Sequence, residues 1–248
     1  MDEPAHESPR TKAIVVARHS AVTRLTHWIN VVAMMVMLMS GLQILNAHPA
    51  LYWGESGFSR PQSWIHVTTQ GSATAFPGWI TVPTYRDLAT GRRWHFFFAW
   101  VLVVNGLVYL IGGLLTRHLW KDLIPRWAEL HPRRLATELW HHLKLQFPRG
   151  EAARHYNSLQ KIAYASVVLL VAPLAVLTGL TMSPGVDAAA PFLVDLFGGR
   201  QSARSLHFIA ANLLVLFVLV HLSALLAVGV WNELRSMLTG RYVIKVGP

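Results

Sequence analysis

Four histidines within long apolar stretches are the residues of this sequence best suited to chemistry. They are His27, His95, His207 and His221. An ionisable side chain inside a membrane span is costly, so each of them predicts a functional role. The chain has no cysteine, which excludes disulfides, cysteinyl zinc sites, iron–sulfur clusters and c-type haem attachment. Any metal chemistry must therefore use His, carboxylate, Met or Tyr ligands.

The composition indicates a membrane protein. Of the 248 residues, 53% are hydrophobic and only 14% are charged, whereas soluble domains carry about 25% charged residues. The formal net charge of +10 would suggest a nucleic-acid partner in a soluble protein. In a membrane protein it indicates basic loops on one side of the bilayer, and we expect no nucleic-acid partner.

Four apolar stretches are long enough to cross a bilayer as helices, which takes about 20 residues each. They cover residues 26–45, 94–115, 162–182 and 205–230. The first follows a polar segment of about 25 residues and has no nearby cleavage site, so it is not a signal peptide. The sequence predicts an all-α fold, a transmembrane four-helix bundle forming a single membrane domain over residues 1–248.

The distribution of basic residues predicts the orientation of these spans. Sixteen Lys and Arg residues lie in residues 1–25, 116–161 and the tail after Trp231, and six lie in the other loops. The positive-inside rule therefore places both termini and the middle loop in the cytoplasm. Residues 46–93 and 183–204 would face outwards from a bacterial inner membrane.

The loops themselves carry structural signals. Residues 119–147, within the cytoplasmic segment 116–161, alternate apolar and charged side chains at helical spacing, interrupted by Pro125 and Pro132. This pattern predicts amphipathic helices lying in the lipid interface. The apolar positions are Leu119, Leu123, Trp127, Leu130, Leu135, Leu139, Leu143 and Phe147.

The outer loop 46–93 is much longer than the usual bundle connection of about 2–8 residues. It is rich in aromatic residues, which favours a docking surface for a periplasmic redox protein over a flexible linker. Its aromatic residues include Tyr52, Trp53, Trp64, Phe76 and Trp79.

Depth in the membrane arranges the four histidines in two pairs. His207 and His221 are 14 residues apart on one helix, which is about 40° short of four turns and a rise of about 21 Å. Alternating helix direction then places His95 level with His207 at the outer side and His27 level with His221 at the inner side. Each pair could hold the iron of one porphyrin between helices.

Other residues near these histidines suit flat cofactors. Gly41 and Gly179 lie at the depth of the outer pair and leave room for a ring, although close helix packing is the alternative explanation. Pro173 predicts a kink in the third span. Anionic propionates seek basic residues near the membrane surfaces. The candidates are Arg92, Arg93 and Arg204 at the outer side and Arg24 and Lys161 at the inner side.

These residues also resemble a known family. Arg24-Leu25-Thr26-His27-Trp28, Arg93-Trp94-His95 and the spacing of His207 and His221 look like di-haem cytochrome b subunits of the b561 and nickel-hydrogenase class. That class also includes membrane subunits of formate dehydrogenases and thiosulfate reductases, and the resemblance covers residues 18–240. It implies that the four histidines bind two b haems, with the pairing that depth predicts.

Two further resemblances concern the redox partners. The segment Tyr156–Lys161 is similar to the YNxxQK segment of formate dehydrogenase membrane subunits, although Leu159 replaces a glycine there. The likeness implies that Asn157, Gln160 and Lys161 contact a quinone near the inner haem. The alternative is that Asn157 caps the third span and Lys161 marks the cytoplasmic boundary. Residues 78–102 look closest to cytochromes b that accompany periplasmic molybdopterin oxidoreductases of the sulfite-oxidase type.

The sequence therefore predicts an electron-transfer subunit with no catalytic residue of its own. It would pass electrons between the quinone pool and a periplasmic, molybdopterin-type oxidoreductase through two b haems. One alternative is a stand-alone cytochrome b561 that acts as a superoxide:quinone oxidoreductase. Another is a transporter or scaffold without haem that uses the histidines as a proton path.

Overall fold

The computed structural model describes residues 12–57, 62–67, 74–144 and 156–246. In chain order the regular elements are β1 (Lys12–Ala17), α1 (Ala21–Ala47), β2 (Ala50–Leu51), β3 (Ile65–His66), α2 (Leu88–Leu115), α3 (Pro132–Leu143), α4 (Ser158–Thr181), α5 (Pro184–Ala189), α6 (Phe192–Leu196), α7 (Arg200–Val228), α8 (Val230–Thr239) and β4 (Arg241–Val246). Single turns of 3-10 helix cover Gly78–Ile80 and Trp127–Leu130, and a π-helical turn covers Leu119–Leu123.

The four long helices α1, α2, α4 and α7 are each long and apolar enough to span a membrane. The fold is therefore an all-α transmembrane bundle, as the sequence predicts. All four helices begin four to six residues before the predicted spans. In three of them a capping side chain, rather than apolarity, sets where the helix starts. Ser20 accepts from the Thr23 backbone N–H at 3.1 Å, and Asp87 accepts from the N–H groups of Ala89 and Thr90.

The long helices pack mainly as two antiparallel hairpins, α1 with α2 and α4 with α7. Small residues such as Ala33, Ala203 and Ala210 are fully buried, which lets helix backbones approach closely. Asn105 on α2 donates to the Thr26 carbonyl and to Asn30 Oδ1 on α1, both at 2.7 Å. Such polar contacts inside a span satisfy groups that lipid cannot.

The two ends of the bundle differ in the connecting segments that they contain. The loop face contains the described part of the connection between α1 and α2 and the segment 182–199 that holds α5 and α6. The terminal face contains both strands β1 and β4 and the described part of the segment between α2 and α4. His95 and His207 lie in the second turn of their helices, near the loop face.

Helix α4 changes geometry just before its proline. Residues Val167–Val171 form a π-helical turn, and Pro173 follows at the start of the next α-helical part. Proline lacks an N–H and its ring collides with the carbonyl four residues earlier, which a wider turn relieves. The structure thus shows a π-helical turn on the N-terminal side of Pro173, and the kink itself stays a prediction.

The fourth span, predicted to end near residue 230, corresponds to a helix that ends at Val228. Helix α7 stops at Val228 because Gly229 adopts a φ of 119°, and α8 then continues to Thr239. After α8, strand β4 pairs antiparallel with β1, with Ala17 opposite Arg241. This ribbon was not expected from the sequence, because its two strands lie at opposite ends of the chain.

The interfacial segment is less regular than predicted. Helix α3 is amphipathic. Leu119 and Leu123, in the π-helical turn before it, are only 5% and 3% exposed, so they pack in the protein rather than in lipid. Trp127 is 91% exposed. Phe147, the last predicted apolar position, lies outside the described residues.

In the outer loop, β2 and β3 pair through Ala50 and His66, and α2 begins at Leu88 rather than after residue 93.

Candidate cofactor site

The four histidines of the spans lie side by side in two pairs at two depths. Near the loop face the rings of His95 and His207 have centres 6.1 Å apart and planes inclined by 69°. Nearer the terminal face the rings of His27 and His221 have centres 6.4 Å apart and planes inclined by 61°. Each pair joins one helix of the first hairpin to α7.

The loop-face histidines are held by the neighbouring helix of their own hairpin. His95 Nδ1 lies 3.2 Å from the Met37 carbonyl oxygen, and His207 Nδ1 lies 2.8 Å from the Ala175 carbonyl oxygen. A carbonyl can only accept, so in this geometry Nδ1 carries the hydrogen and Nε2 keeps its lone pair. That is the arrangement of a metal-binding histidine whose second nitrogen is oriented by the protein.

Hydroxyl groups reinforce the same orientation. Ser40 Oγ lies 3.1 Å from His95 Nδ1, and Thr178 Oγ1 lies 3.3 Å from His207 Nδ1. Both hydroxyls also donate to carbonyls of their own helix, Ser40 to Val36 at 2.7 Å and Thr178 to Leu174 at 2.6 Å. A hydroxyl whose hydrogen is used in this way accepts from the ring N–H.

The residue after each hydroxyl is a glycine that lies against the imidazole. A Cβ at Gly41 would lie 3.5 Å from His95 Cε1, and a Cβ at Gly179 would lie 3.2 Å from His207 Cε1. The two hairpins therefore repeat one pattern, with a carbonyl, a hydroxyl three residues later and a glycine four residues later. The sequence signal is Ser-Gly and Thr-Gly at matching positions, and only its glycines were singled out from the sequence.

The spacing of both pairs fits bis-imidazole ligation of one metal. Imidazole nitrogens bind metals at about 2.0 Å, so two rings on opposite sides of a metal have centres about 6 Å apart. No cluster of three or more His, Asp or Glu side chains suited to a bare metal ion occurs among the described residues. A pair of imidazoles at each level thus fits a metal whose remaining ligands come from a macrocycle, as in haem.

An aromatic series leads from the start of α4 to the terminal-face pair. Tyr156 meets Tyr164 edge to face at 5.1 Å, and Tyr164 meets Phe217 at 5.9 Å. Phe217 in turn stacks on His221, with ring centres 5.9 Å apart and planes 17° apart. Contiguous rings therefore connect this edge of the bundle with a predicted ligand.

The predicted basic residues fall into different environments. Arg204 donates to the carbonyl of His48, and the Arg92 guanidinium lies 5.5 Å from the Phe96 ring centre. Arg93 is exposed. Arg24 donates to the Leu238 carbonyl at 2.6 Å, so it fastens the end of α8. Within the described part of the chain, Arg24 Nε is buried without a hydrogen-bond partner.

The residues predicted to contact a quinone take part in helix capping and an ion pair. Asn157 Oδ1 accepts from the Gln160 N–H at 2.8 Å, and Gln160 Oε1 accepts from the Asn157 N–H at 3.2 Å. Lys161 Nζ donates to both carboxylate oxygens of Glu129, at 2.9 and 3.0 Å. This hydrogen bond lowers the pKa of the Glu129 carboxyl below its usual value. The capping alternative therefore describes these contacts, and their role toward a quinone stays a prediction.

The outer loop is fastened to α7 and exposes aromatic side chains. Trp64 Nε1 donates to Ser205 Oγ at 2.9 Å, and the Gly54 N–H donates to Ser202 Oγ at 2.7 Å. Trp53 stacks on Trp64 with ring centres 5.4 Å apart, and it is 50% exposed. Trp79 is 78% exposed. The described part of this loop is thus an ordered surface.

The helices and paired histidines define a membrane cytochrome of the b type, and sequence comparison agrees. The sequence model of prokaryotic cytochrome b561 matches residues 18–240, and the chain belongs to this family. It is 33% identical over 213 residues to a protein of Azospira oryzae named provisionally as protein-methionine-sulfoxide reductase subunit YedZ1. The match covers 84% of this chain and 90% of that relative. No solved structure matches the chain.

The glycine beside His207 gives a direct test of the site. In Gly179→Val a branched side chain meets the imidazole of His207, so we expect the haem-to-protein ratio of the purified protein to fall. Gly106→Val is the matched control, because a Cβ at Gly106 meets nothing within 4 Å. A pyridine haemochrome assay measures both variants, and equal haem content would contradict the site.

Proposed function

We propose that this protein is a di-haem b cytochrome that carries electrons between the quinone pool and a periplasmic oxidoreductase. His95 and His207 would bind the outer haem, and His27 and His221 the inner haem. The observation that carries the proposal is the pair of ring separations, 6.1 and 6.4 Å, at two depths of a cytochrome b561-type bundle.

The residues of the chain then have distinct tasks. Bound haem supplies reversible one-electron chemistry at its iron, and two histidine ligands leave no open position for oxygen, which favours outer-sphere electron transfer. The Met37 and Ala175 carbonyls keep the Nε2 lone pairs of the outer histidines available. The glycines beside these rings leave space for a flat macrocycle.

The proposed orientation follows the excess of basic residues on the terminal face. Both chain termini would lie in the cytoplasm, and the loop face would lie in the periplasm of a bacterial inner membrane. The haem of His95 and His207 is then the one nearer the periplasm. Electrons would enter or leave the membrane on the side where the ordered aromatic loop lies.

The proposed partner is a periplasmic oxidoreductase that docks on residues 46–93. The name of the Azospira oryzae relative describes a reductase subunit, which suggests that this chain also works with a second polypeptide. The exposed Trp53 and Trp79 are the type of side chain that dominates binding energy in protein interfaces. A molybdopterin cofactor in the partner is the expectation from the resemblance of residues 78–102.

The proposed quinone site lies at the terminal face, beside the start of α4. A quinone accepts protons as well as electrons, so it needs donors in contact with cytoplasmic water. The Gln160 amide and the Lys161 ammonium stand there, and Lys161 is paired with Glu129. The aromatic series from Tyr156 to Phe217 links this region with His221, which supports electron exchange with the inner haem.

The pairing of ligands predicts which variants share a phenotype. His95→Ala and His207→Ala should each lose the outer haem, and His27→Ala and His221→Ala the inner one, because each iron needs both of its imidazoles. Redox titration should show one surviving midpoint potential that is equal within a pair and different between pairs. His118→Ala, outside both pairs, should retain both potentials. Equal surviving midpoint potentials in two variants from different pairs would refute the assignment.

The docking proposal predicts a loss of partner affinity without loss of haem. Trp53→Ala or Trp79→Ala should cost about 2 kcal/mol, or roughly 30-fold in dissociation constant, because an anchoring aromatic is removed. Copurification from native membranes and titration with the isolated partner measure the effect. Trp127→Ala, which alters an exposed tryptophan of the terminal face, is the control. Unchanged binding in both loop variants would favour the stand-alone superoxide:quinone oxidoreductase.

Two substitutions distinguish a quinone-binding role of these residues from a helix-capping role. Asn157→Asp keeps the capping oxygen but removes the amide donor, and Lys161→Leu removes the ammonium. Each should slow haem oxidation by a soluble quinone at least tenfold, a barrier increase of about 1.4 kcal/mol. Arg133→Gln, on the exposed surface of α3, should leave the rate unchanged. Normal rates in both variants, with only thermal stability altered, would assign these residues to capping alone.

A further inference from the structure

A polar cavity of about 330 Å³ lies at the loop face, between the end of α1, strand β3 and the first turn of α7. Its polar lining comes from His48, Tyr52, His66, Gln201 and Arg204. Arg204 is one helical turn before His207, a rise of about 4.5 Å. The cavity therefore lies just outside the level of the His95 and His207 pair.

Two polar groups of this cavity lack partners. Both ring nitrogens of His66 and Oε1 of Gln201 are buried, and none has a hydrogen-bond partner in the described part of the protein. Burying polar groups without partners costs on the order of 1–3 kcal/mol each. Proteins seldom retain such groups unless a bound molecule satisfies them.

The charge of the cavity indicates the type of molecule. Among the described residues that line it there is no Asp or Glu, whereas Arg204 is part of it. Burial, followed by the positive charges of Arg204 and Arg92, lowers the pKa of His48, so both guanidinium groups lie near this lining residue. The ring N–H of His66 adds a neutral donor. The Gln201 amide adds a second one when its two ends are exchanged, which turns the unpartnered Oε1 away from the ligand and Nε2 toward it. An anion with several acceptor oxygens fits this lining.

We propose that this cavity is a carboxylate-binding site and that it receives the propionate groups of the haem held by His95 and His207. The inference rests on the proposed function, because it requires a haem at that level. Arg204, His66 and Gln201 donate to the carboxylate oxygens. A haem would bring two such carboxylates, and Arg204 of the cavity lies one helical turn before His207, a proposed haem ligand.

This assignment gives the outer loop a part in cofactor binding. His66 lies in β3 opposite Ala50, and it is two residues after Trp64, which donates to Ser205 on α7. The same short strand pair therefore supports the exposed tryptophans and the anion-binding cavity. A partner docked on Trp53 and Trp64 would lie close to the propionate edge of the outer haem.

The test uses the purified holoprotein carrying haem labelled with ¹³C at its propionate carboxyls. Redox-difference infrared spectra of His66→Leu and Gln201→Leu should show displaced labelled carboxylate bands. Transfer of the outer haem to apomyoglobin should be at least tenfold faster than in the unmodified protein. His66→Gln, which restores a donor of similar size, should return both readouts toward the original values. Arg86→Gln, an exposed basic residue of the same face, should change neither.

A soluble carboxylate is the competing source of the same chemistry. The labelled bands would then stay in place in both leucine variants, while acetate or succinate would bind the unmodified holoprotein and not the variants. That result would overturn the propionate assignment. Two haems with unmoved bands and no binding of soluble carboxylates would refute the carboxylate site and leave the proposed function intact. A purified protein without haem would refute the proposed function itself.

Discussion

The hydrogen bond from an imidazole Nδ1 to a backbone carbonyl of the adjacent helix is the contact on which this site depends. In the loop-face pair it satisfies Nδ1 of a histidine inside a membrane span, and it leaves the Nε2 lone pair available to a metal. The Met37 and Ala175 carbonyls make this contact at 3.2 and 2.8 Å. Side chains at the contact must be small, since a carbonyl inside a helix is reached only when two backbones approach closely.

The small residues of the hairpins follow from that requirement. Ser40 and Thr178 are completely buried, yet each carries a hydroxyl that lipid could not satisfy. Their hydrogens bond to carbonyls of their own helices, and their oxygens face the histidine rings. The following glycines lack the Cβ that would lie 3.5 Å from His95 Cε1 and 3.2 Å from His207 Cε1. The repetition of this arrangement in both hairpins gives α2 and α7 equivalent histidines from unrelated stretches of sequence.

The sequence predicts the parts of this structure that depend on local pattern. Apolar length identified the four spans, and helix periodicity placed His207 and His221 on one face at two depths. The roles of Ser40 and Thr178 were not foreseen, because they depend on which carbonyl a neighbouring helix presents. The β1–β4 ribbon and the cavity at His66 combine segments far apart in the chain, and pairing across such distances leaves no local signature.

The two hairpins pack chiefly within themselves, so the spacing of the histidine pairs needs support from the ends of the bundle. At the terminal face, β1 pairs with β4 and Arg18 binds both oxygens of Glu233 at 2.9 Å, joining the start of α1 to α8. At the loop face, Trp64 and Gly54 of the outer loop bond to Ser205 and Ser202 of α7. The first fastening reaches α8, which follows α7 directly after Gly229, and the second reaches α7 itself, the helix that carries one histidine of each pair. The β1–β4 ribbon and the outer loop, rather than contacts in the bundle core, therefore hold the two hairpins at the distance that separates the rings of each histidine pair.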